Sequence, residues 1–287
     1  MDGEITKEKK FVKDLLHLDD ISRITYVDSG WTSRVYVVDD GRFVAKFPRN
    51  EITKKEYIQE IAILKVIDEI NSNVLVPEIY LTHANNDYLI YKGIVGKALD
   101  TLPQEMDDTL QQKVGTDLGN FLKQLHSIEL PGGSIITVED EITQFQQKYE
   151  ASKSVLDNEL SNDEKNALQT LVYLTLPNEL KKIGYDKALC HGDLGYWNMI
   201  LNDNHQIGII DFGDIGYWDR SKDFIGMEGS VMLDAALAVY GDDTKLRQKI
   251  ALRKRVLSFL DLPFYIGKKD KEGINKTVQK IKKMLAE

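Results

Sequence analysis

The chain has 287 residues, of which 42% are hydrophobic and 29% charged, and a formal net charge of −9 at pH 7. That length predicts one or two domains with a substantial core, and the composition excludes disordered, collagen-like and low-complexity classes. The acidic balance argues against nucleic acid as a partner and suits a cationic small molecule. No run approaches the roughly 18 apolar residues of a membrane span, and residues 1–8 lack the basic-then-apolar pattern of a signal peptide. Cys190 is the only cysteine, so neither an intramolecular disulfide nor a cysteine-based zinc cluster can form. The expectation is a cytoplasmic protein with no membrane partner, a monomer or weak dimer.

In chain order, residues 8–18 predict a helix that packs outside the first lobe. Residues 23–27 and 34–38 are short β-rich runs, and Asp39-Asp40-Gly41-Arg42 is a turn leading to a partner strand at 43–47. Pro48 ends that strand because it has no ladder donor. Residues 53–70 read as a helix with Ile58, Ile61, Ala62, Leu64, Ile67 and Ile70 at three- and four-residue spacing. Strands follow at 78–82 and 88–94. Beyond Gly96 the pattern turns helical, over 108–127, 139–157 and 163–183, with a β-rich island at 188–212 and helices from there to the end. No internal repeat appears. The organisation predicted is α+β and bilobal: residues 1–95 as a strand-rich lobe, a hinge near 91–96, and residues 96–287 as a larger, mostly helical lobe holding a few strands.

The sharpest signal is His191-Gly192-Asp193-Leu194-Gly195-Tyr196-Trp197-Asn198, followed after a hairpin-length gap by Asp211-Phe212-Gly213. This His-x-Asp-x-x-x-x-Asn pattern with Asp-Phe-Gly resembles the catalytic and metal-binding loops of kinases. Phosphoryl transfer needs a hydroxyl held in line with the γ-phosphate and a divalent metal to neutralise the triphosphate. Magnesium takes hard oxygen ligands, which Asp211 and Asn198 offer. Asp193, five residues before Asn198, is placed to orient the acceptor hydroxyl and take its proton.

A kinase-like reading requires a phosphate-contacting lysine on the third strand, and Lys46 in Val44-Ala45-Lys46-Phe47 fills that place. Its helix partner is expected to be Glu60, with Glu56 one turn earlier as the competitor. The stretch Asp28-Ser29-Gly30-Trp31-Thr32-Ser33 has one glycine where protein kinases carry three; backbone amides with Ser29, Thr32 and Ser33 are the candidate phosphate ligands. Tyr91 and Ile94, in the expected hinge, are candidates to meet the purine through main-chain groups. Cys190 reads as a buried apolar group, because adjacent extended residues point to opposite faces. His126 reads as a packing or capping residue, and the lysine-rich end, 268–283, as a solvated amphipathic helix.

Further segments add to this pattern: Gly30-Trp31-Thr32-Ser33, Phe47-Pro48-Arg49, Leu118-Gly119-Asn120-Phe121-Leu122-Lys123-Gln124-Leu125-His126 and Asp219-Arg220-Ser221-Lys222-Asp223-Phe224. With them the chain from Arg23 onward resembles the aminoglycoside phosphotransferase and choline kinase family, and in pattern the aminoglycoside 2''-phosphotransferases. The resemblance implies a kinase-like fold and Mg2+-dependent transfer of the γ-phosphoryl group of ATP or GTP to a hydroxyl of a small molecule. It also implies that Asp223 braces the catalytic loop. An aminoglycoside is the leading acceptor, with antibiotic resistance as the attendant role. Glu228 and Asp234 would meet its ammonium groups, and Trp197 (with Tyr196, Tyr217 and Trp218) could stack a sugar. The stretch 224–234 lacks the dense acidic cluster of a committed 2''-enzyme, so a sugar, choline-like or amino alcohol is an alternative acceptor. A nucleotide-binding pseudo-kinase is the non-enzymatic alternative. A protein kinase fits less well, since Gly192 stands where protein kinases have arginine and the chain runs only ten residues from Gly213 to Asp223.

Overall fold

The computed structural model describes residues 2–27, 32–102, 106–130, 135–227 and 230–286. Ten helices and ten strands follow one another among them: α1 Asp2–Leu15, β1 Ile24–Val27, β2 Ser33–Val38, β3 Phe43–Pro48, α2 Glu51–Ile67, β4 Glu78–Thr82, β5 Leu89–Lys92, β6 Lys97–Ala98, α3 Asp108–Leu125 and α4 Val138–Glu159 come first. Then come α5 Asn162–Thr170, α6 Leu176–Ile183, β7 Lys187–Cys190, β8 Met199–Leu201, β9 Ile207–Ile209, β10 Gly216–Asp219, α7 Ser230–Tyr240, α8 Thr244–Leu260, α9 Leu262–Lys268 and α10 Lys271–Ala286. None of the described helices is long and apolar enough to cross a membrane. The predicted α+β class is what the chain adopts: an antiparallel sheet first, and mostly helix after it.

Two compact units form. The first comprises Met1–Leu125, His191–Ile215 and Met227–Tyr240. Its sheet has the order β1-β2-β3-β5-β4, antiparallel throughout. The expected turn at Asp39–Gly41 joins β2 to β3, with Gly41 at φ 103°, a left-handed angle glycine adopts without a Cβ penalty. One face of the sheet buries Ile24, Tyr36, Val38, Ala45, Phe47 and Ile90 against Val12 of α1. Helix α1 therefore packs outside the sheet, as its amphipathic pattern implies, and Glu8 clamps it there. Its carboxylate accepts from Arg34 Nε and Nη2 at 2.9 and 2.7 Å and from the Tyr36 hydroxyl.

Helices α3 and α7 pack backbone to backbone in this unit. A Cβ on Gly115 would fall 2.2 Å from the Met232 carbonyl oxygen, and one on Gly119 would fall 2.3 Å from that of Ala236. The paired glycines four residues apart place two bare patches on one face of α3, so no side chain holds the helices apart.

The second unit comprises His126–Cys190, Gly216–Gly226 and Gly241–Glu287. Its core joins Phe145, Tyr149, Leu168, Val172 and Leu176 with Phe259 of α8 and Ile281 of α10. The single helix expected over 163–183 is broken by a π turn at Leu171–Thr175. Pro177 explains the break: it has no N–H to return to the preceding turn, and the wider turn absorbs the missing bond. Strands β7 and β10 pair with each other, Cys190 opposite Gly216 and Ala188 opposite Trp218.

Beside that ladder lies a buried ionic network. Asp219 accepts from Lys249 Nζ at 2.9 Å and from the Ser221 hydroxyl at 2.7 Å, and Arg253 makes a bidentate pair with Glu141 at 2.7 and 2.6 Å. Burial opposes the Asp219 charge, but Arg253, the Asp186 amide, Ser221 and Lys249 outweigh it and hold the carboxyl below the ordinary range.

Two outcomes follow. Gly119→Ala should destabilise the protein by about 1–3 kcal/mol, as overpacking does, read as a lower urea midpoint. A folded pKa depressed below the unfolded value of about 3.9 stabilises the protein above pH 4, and that stabilisation drains away as pH falls through the folded pKa. Asp219→Asn should cost about 3–5 kcal/mol at neutral pH and flatten the acid limb; an unchanged limb would show that Asp219 does not generate it.

Candidate active site

All the described site residues belong to the first unit. Strand β3 lies between β2 and β5, with Lys46 opposite Val35 on one side and Leu89 on the other. The Lys46 side chain is only 13% exposed, and its ammonium meets Glu60 Oε1 and Asp211 Oδ1, each at 3.0 Å. Helix α2, capped by Asn50 Oδ1 accepting from the Thr53 amide at 3.0 Å, turns Glu60 inward. Of the two candidates it is Glu60, not Glu56, that meets the lysine.

Tyr91 joins this group in a manner the sequence did not disclose. It lies inside the ladder, opposite Val44 on β3 and Ile79 on β4. Its hydroxyl donates to Glu60 Oε1 at 2.5 Å, and Lys46 Nζ lies 5.4 Å from its ring centroid. The expectation that Tyr91 offers its main chain to a purine is therefore replaced: an inner strand commits those groups to its neighbours, and Tyr91 contributes its side chain. Burial opposes the Lys46 charge, but Tyr91, Glu60 and Asp211 together push the ammonium well above the usual lysine range. Burial and the Glu60 charge push the Tyr91 phenol well upward, so both groups keep their protons at neutral pH.

The second half of the site is built by the β8–β9 hairpin. Met199 pairs with Ile209, and the Ile210 amide donates to the Asn198 carbonyl at 3.0 Å, which sets Asn198 and Asp211 on adjacent strand ends. Asp211 adopts φ 63°, ψ 68°, a left-handed conformation that costs a non-glycine residue about 1–3 kcal/mol and clusters at functional positions. Its carboxylate, 57% exposed, is held below the ordinary range by Lys46 above all, against the opposing effect of burial and with a smaller contribution from His191.

Asp193 sits on the loop before the hairpin. Its Oδ2 accepts from Asn198 Nδ2 at 3.0 Å and from Trp197 Nε1 at 3.2 Å, and its carbonyl accepts from Asn198 Nδ2 at 2.8 Å. Because the Asn198 amide nitrogen is committed to Asp193, its oxygen is the end left to face a cation. His191, fully buried, ties the two loops together. Its Nε2 lies 3.0 Å from the Ile210 carbonyl, its Nδ1 accepts from the Asp193 amide at 3.3 Å, and its ring packs on Phe212 at 4.9 Å. The reading from sequence used His191 only as part of a motif; its separation from Ile210 hid the strut.

The remaining candidates fall elsewhere. The Ser33 hydroxyl is buried and hydrogen-bonds Tyr57 at 2.8 Å, so a phosphate contact from Ser33 would have to come from its main chain. Ile94 packs on the hairpin, where a Cβ on Gly208 would fall 2.6 Å from its Cδ1. Asp234 is exposed on α7, and the Tyr196 hydroxyl points to Met232 Sδ on that helix at 4.0 Å. Ser29 and Glu228 lie outside the described residues. In the second unit His126 Nε2 pairs with the buried Asp223 Oδ2 at 3.0 Å. Burial pushes the Cys190 thiol well upward and its sulfur faces the carbonyls of Ala188, Trp218 and Asp219, the setting of a small core group.

A model of the phosphotransferase enzyme family matches residues 23–244. Among solved structures, the chain is similar to the ADP-bound aminoglycoside phosphotransferase APH(2'')-Ib at 20% identity over 99% of this chain and 98% of that one, with a TM-score of 0.69. It is similar to an APH(2'')-IIIa complex with GDP and kanamycin at 20% identity, 98% coverage of each chain and a TM-score of 0.75. Choline kinase LicA from Streptococcus pneumoniae is 16% identical over 96% of this chain and 98% of its own, at a TM-score of 0.65. These likenesses carry the kinase-like fold, while the family match spans every described element from β1 to α7; the chain belongs to the phosphotransferase enzyme family.

Proposed function

We propose that this protein transfers the γ-phosphoryl group of ATP or GTP to a hydroxyl of a small cationic acceptor, with an aminoglycoside as the first candidate. The observation that carries the reading is the convergence of Asp193, Asn198, Asp211 and the Lys46–Glu60 pair within one compact unit. In this reading the lobe of residues 1–95 holds the nucleotide, with Lys46 on its phosphates and Glu60 and Tyr91 fixing Lys46. The chain after β5, including Ile94, meets the purine. Asp193 takes the proton of the acceptor hydroxyl as its oxygen bonds to the γ-phosphorus, and the bond from that phosphorus to the β,γ-bridging oxygen breaks to release the nucleoside diphosphate.

The donor set suits Mg2+: an exposed carboxylate on Asp211 and the amide oxygen of Asn198 are hard oxygen ligands. When bound, the ion would neutralise the charge of the triphosphate. Lys46, which contacts Asp211 in the structure described, carries its charge to the same place.

A cationic acceptor agrees with the net charge of −9 and with the acidic residues Glu228 and Asp234 of the sequence. The GDP–kanamycin complex of a similar structure supports the aminoglycoside. One observation favours a second acceptor: Trp197 is 49% exposed beside Asp193, and an open aromatic face also suits a quaternary ammonium such as a choline-like alcohol. We place the protein in the cytoplasm, where nucleotide is abundant and the lone thiol stays reduced. A resistance role would follow from the aminoglycoside reading alone.

Release of nucleoside diphosphate, followed with ATP and with GTP across a panel of aminoglycosides and amino alcohols, tests the reading. Asp193→Ala should lower acceptor-stimulated turnover by about 10²–10⁴-fold and leave nucleotide affinity intact; full turnover in that variant would remove Asp193 from its role. Asp211→Asn should abolish the gain in nucleotide affinity that magnesium produces, measured by calorimetry with and without the ion.

A further inference from the structure

Trp197 has features that packing does not explain. It is half exposed, yet its indole N–H donates to Asp193 Oδ2 at 3.2 Å. Its ring lies flat on the loop: a Cβ on Gly195 would fall between 2.4 and 2.6 Å from three of its atoms, so only glycine at 195 lets the indole reach Asp193. The loop is anchored without it, by buried Leu194 and His191 and by Tyr196 on Met232. Asn198 Nδ2 donates to the same Asp193 oxygen at 3.0 Å.

Two donors on one oxygen restrict rotation of the carboxylate about its Cβ–Cγ bond, a torsion that is otherwise broad. Rotation decides which oxygen lone pair meets an incoming hydroxyl, and the reacting atoms must come within about 3–3.5 Å in alignment. We propose that Trp197 is a positioning residue: its indole N–H, together with Asn198, locks the rotation of the Asp193 carboxylate. This rests on the reading of Asp193 as the group that takes the acceptor proton, and assigns Trp197 a task beyond offering its face to an acceptor.

The test uses the full chain and Mg·ATP hydrolysis, in which water takes the acceptor's place, so it needs no identified acceptor. Trp197→Phe keeps a ring and removes the N–H. It should lower kcat by about 5–50-fold with the KM for ATP and the affinity for a fluorescent ADP analogue unchanged. Trp197→Gln, which restores an N–H donor without the ring, should recover part of that loss. Hydrolysis by Trp197→Phe at the wild-type rate would overturn the proposal, provided Asp193→Ala is slow. If Asp193→Ala itself hydrolyses ATP at the wild-type rate, the reading of Asp193 falls and the proposal with it. A second readout does not involve turnover. The chain has three tryptophans, so their indole N–H resonances are readily assigned by substitution. The Trp197 resonance should move in Asp193→Ala and its N–H should exchange faster with solvent; an unmoved resonance would overturn the proposal.

Discussion

The charge on Lys46 is the constraint around which the first unit is organised. An ammonium with 13% exposure is untenable unless anions face it, and here they come from two places: Glu60 on α2, and Asp211, 165 residues beyond Lys46 in the chain. Satisfying them requires the β2–β3–β5 register, the roll of α2 that buries Glu60, and the backbone turn at Asp211. Removing one partner would leave an uncompensated buried charge, which is why such pairs fix geometry even where their net stabilisation is small. Tyr91 reinforces the arrangement by donating to the same Glu60 oxygen.

The left-handed turn at Asp211 belongs to the same logic. Its conformational cost is supported by interactions on both sides: the β8–β9 pairing before it, and the His191 contacts to Ile210 and Phe212 around it. His191 is therefore the joint through which the Asp193 loop and the Asp211 loop share one geometry. Leu75 adds a further restraint, exchanging backbone hydrogen bonds of 2.9 Å with Ile207 and Ile209 of β9.

The two units manage buried polarity differently. The first concentrates charge around Lys46, where two carboxylates meet one ammonium. The second pairs its buried charges within the fold: Lys249 meets Asp219 and Asp186, and Arg253 meets Glu141 and Asp219. Charges matched in this way hold a fold in register; an exposed carboxylate such as Asp211 beside a buried ammonium leaves capacity for a ligand.

The sequence by itself determined the reaction class and the fold. His191, Asp193 and Asn198 lie within eight residues, Asp211 follows after a hairpin, and Lys46 sits in a β-rich strand, so local spacing carries these features. Strands, turns and most helices were legible for the same reason, since periodicity and turn chemistry are local. What tertiary structure decided is every choice that depends on two segments meeting. Glu60 over Glu56 depends on how α2 rolls against β3. The burial of the Ser33 hydroxyl on Tyr57 and the entry of Tyr91 into the ion pair depend on strand pairing, which sets where each side chain points. The bareness of Gly115 and Gly119 gained meaning only when the carbonyls of α7 came within reach. Hydrogen bonds and ion pairs act over a few ångströms, and only the folded chain brings residues separated by tens or hundreds of positions inside that range.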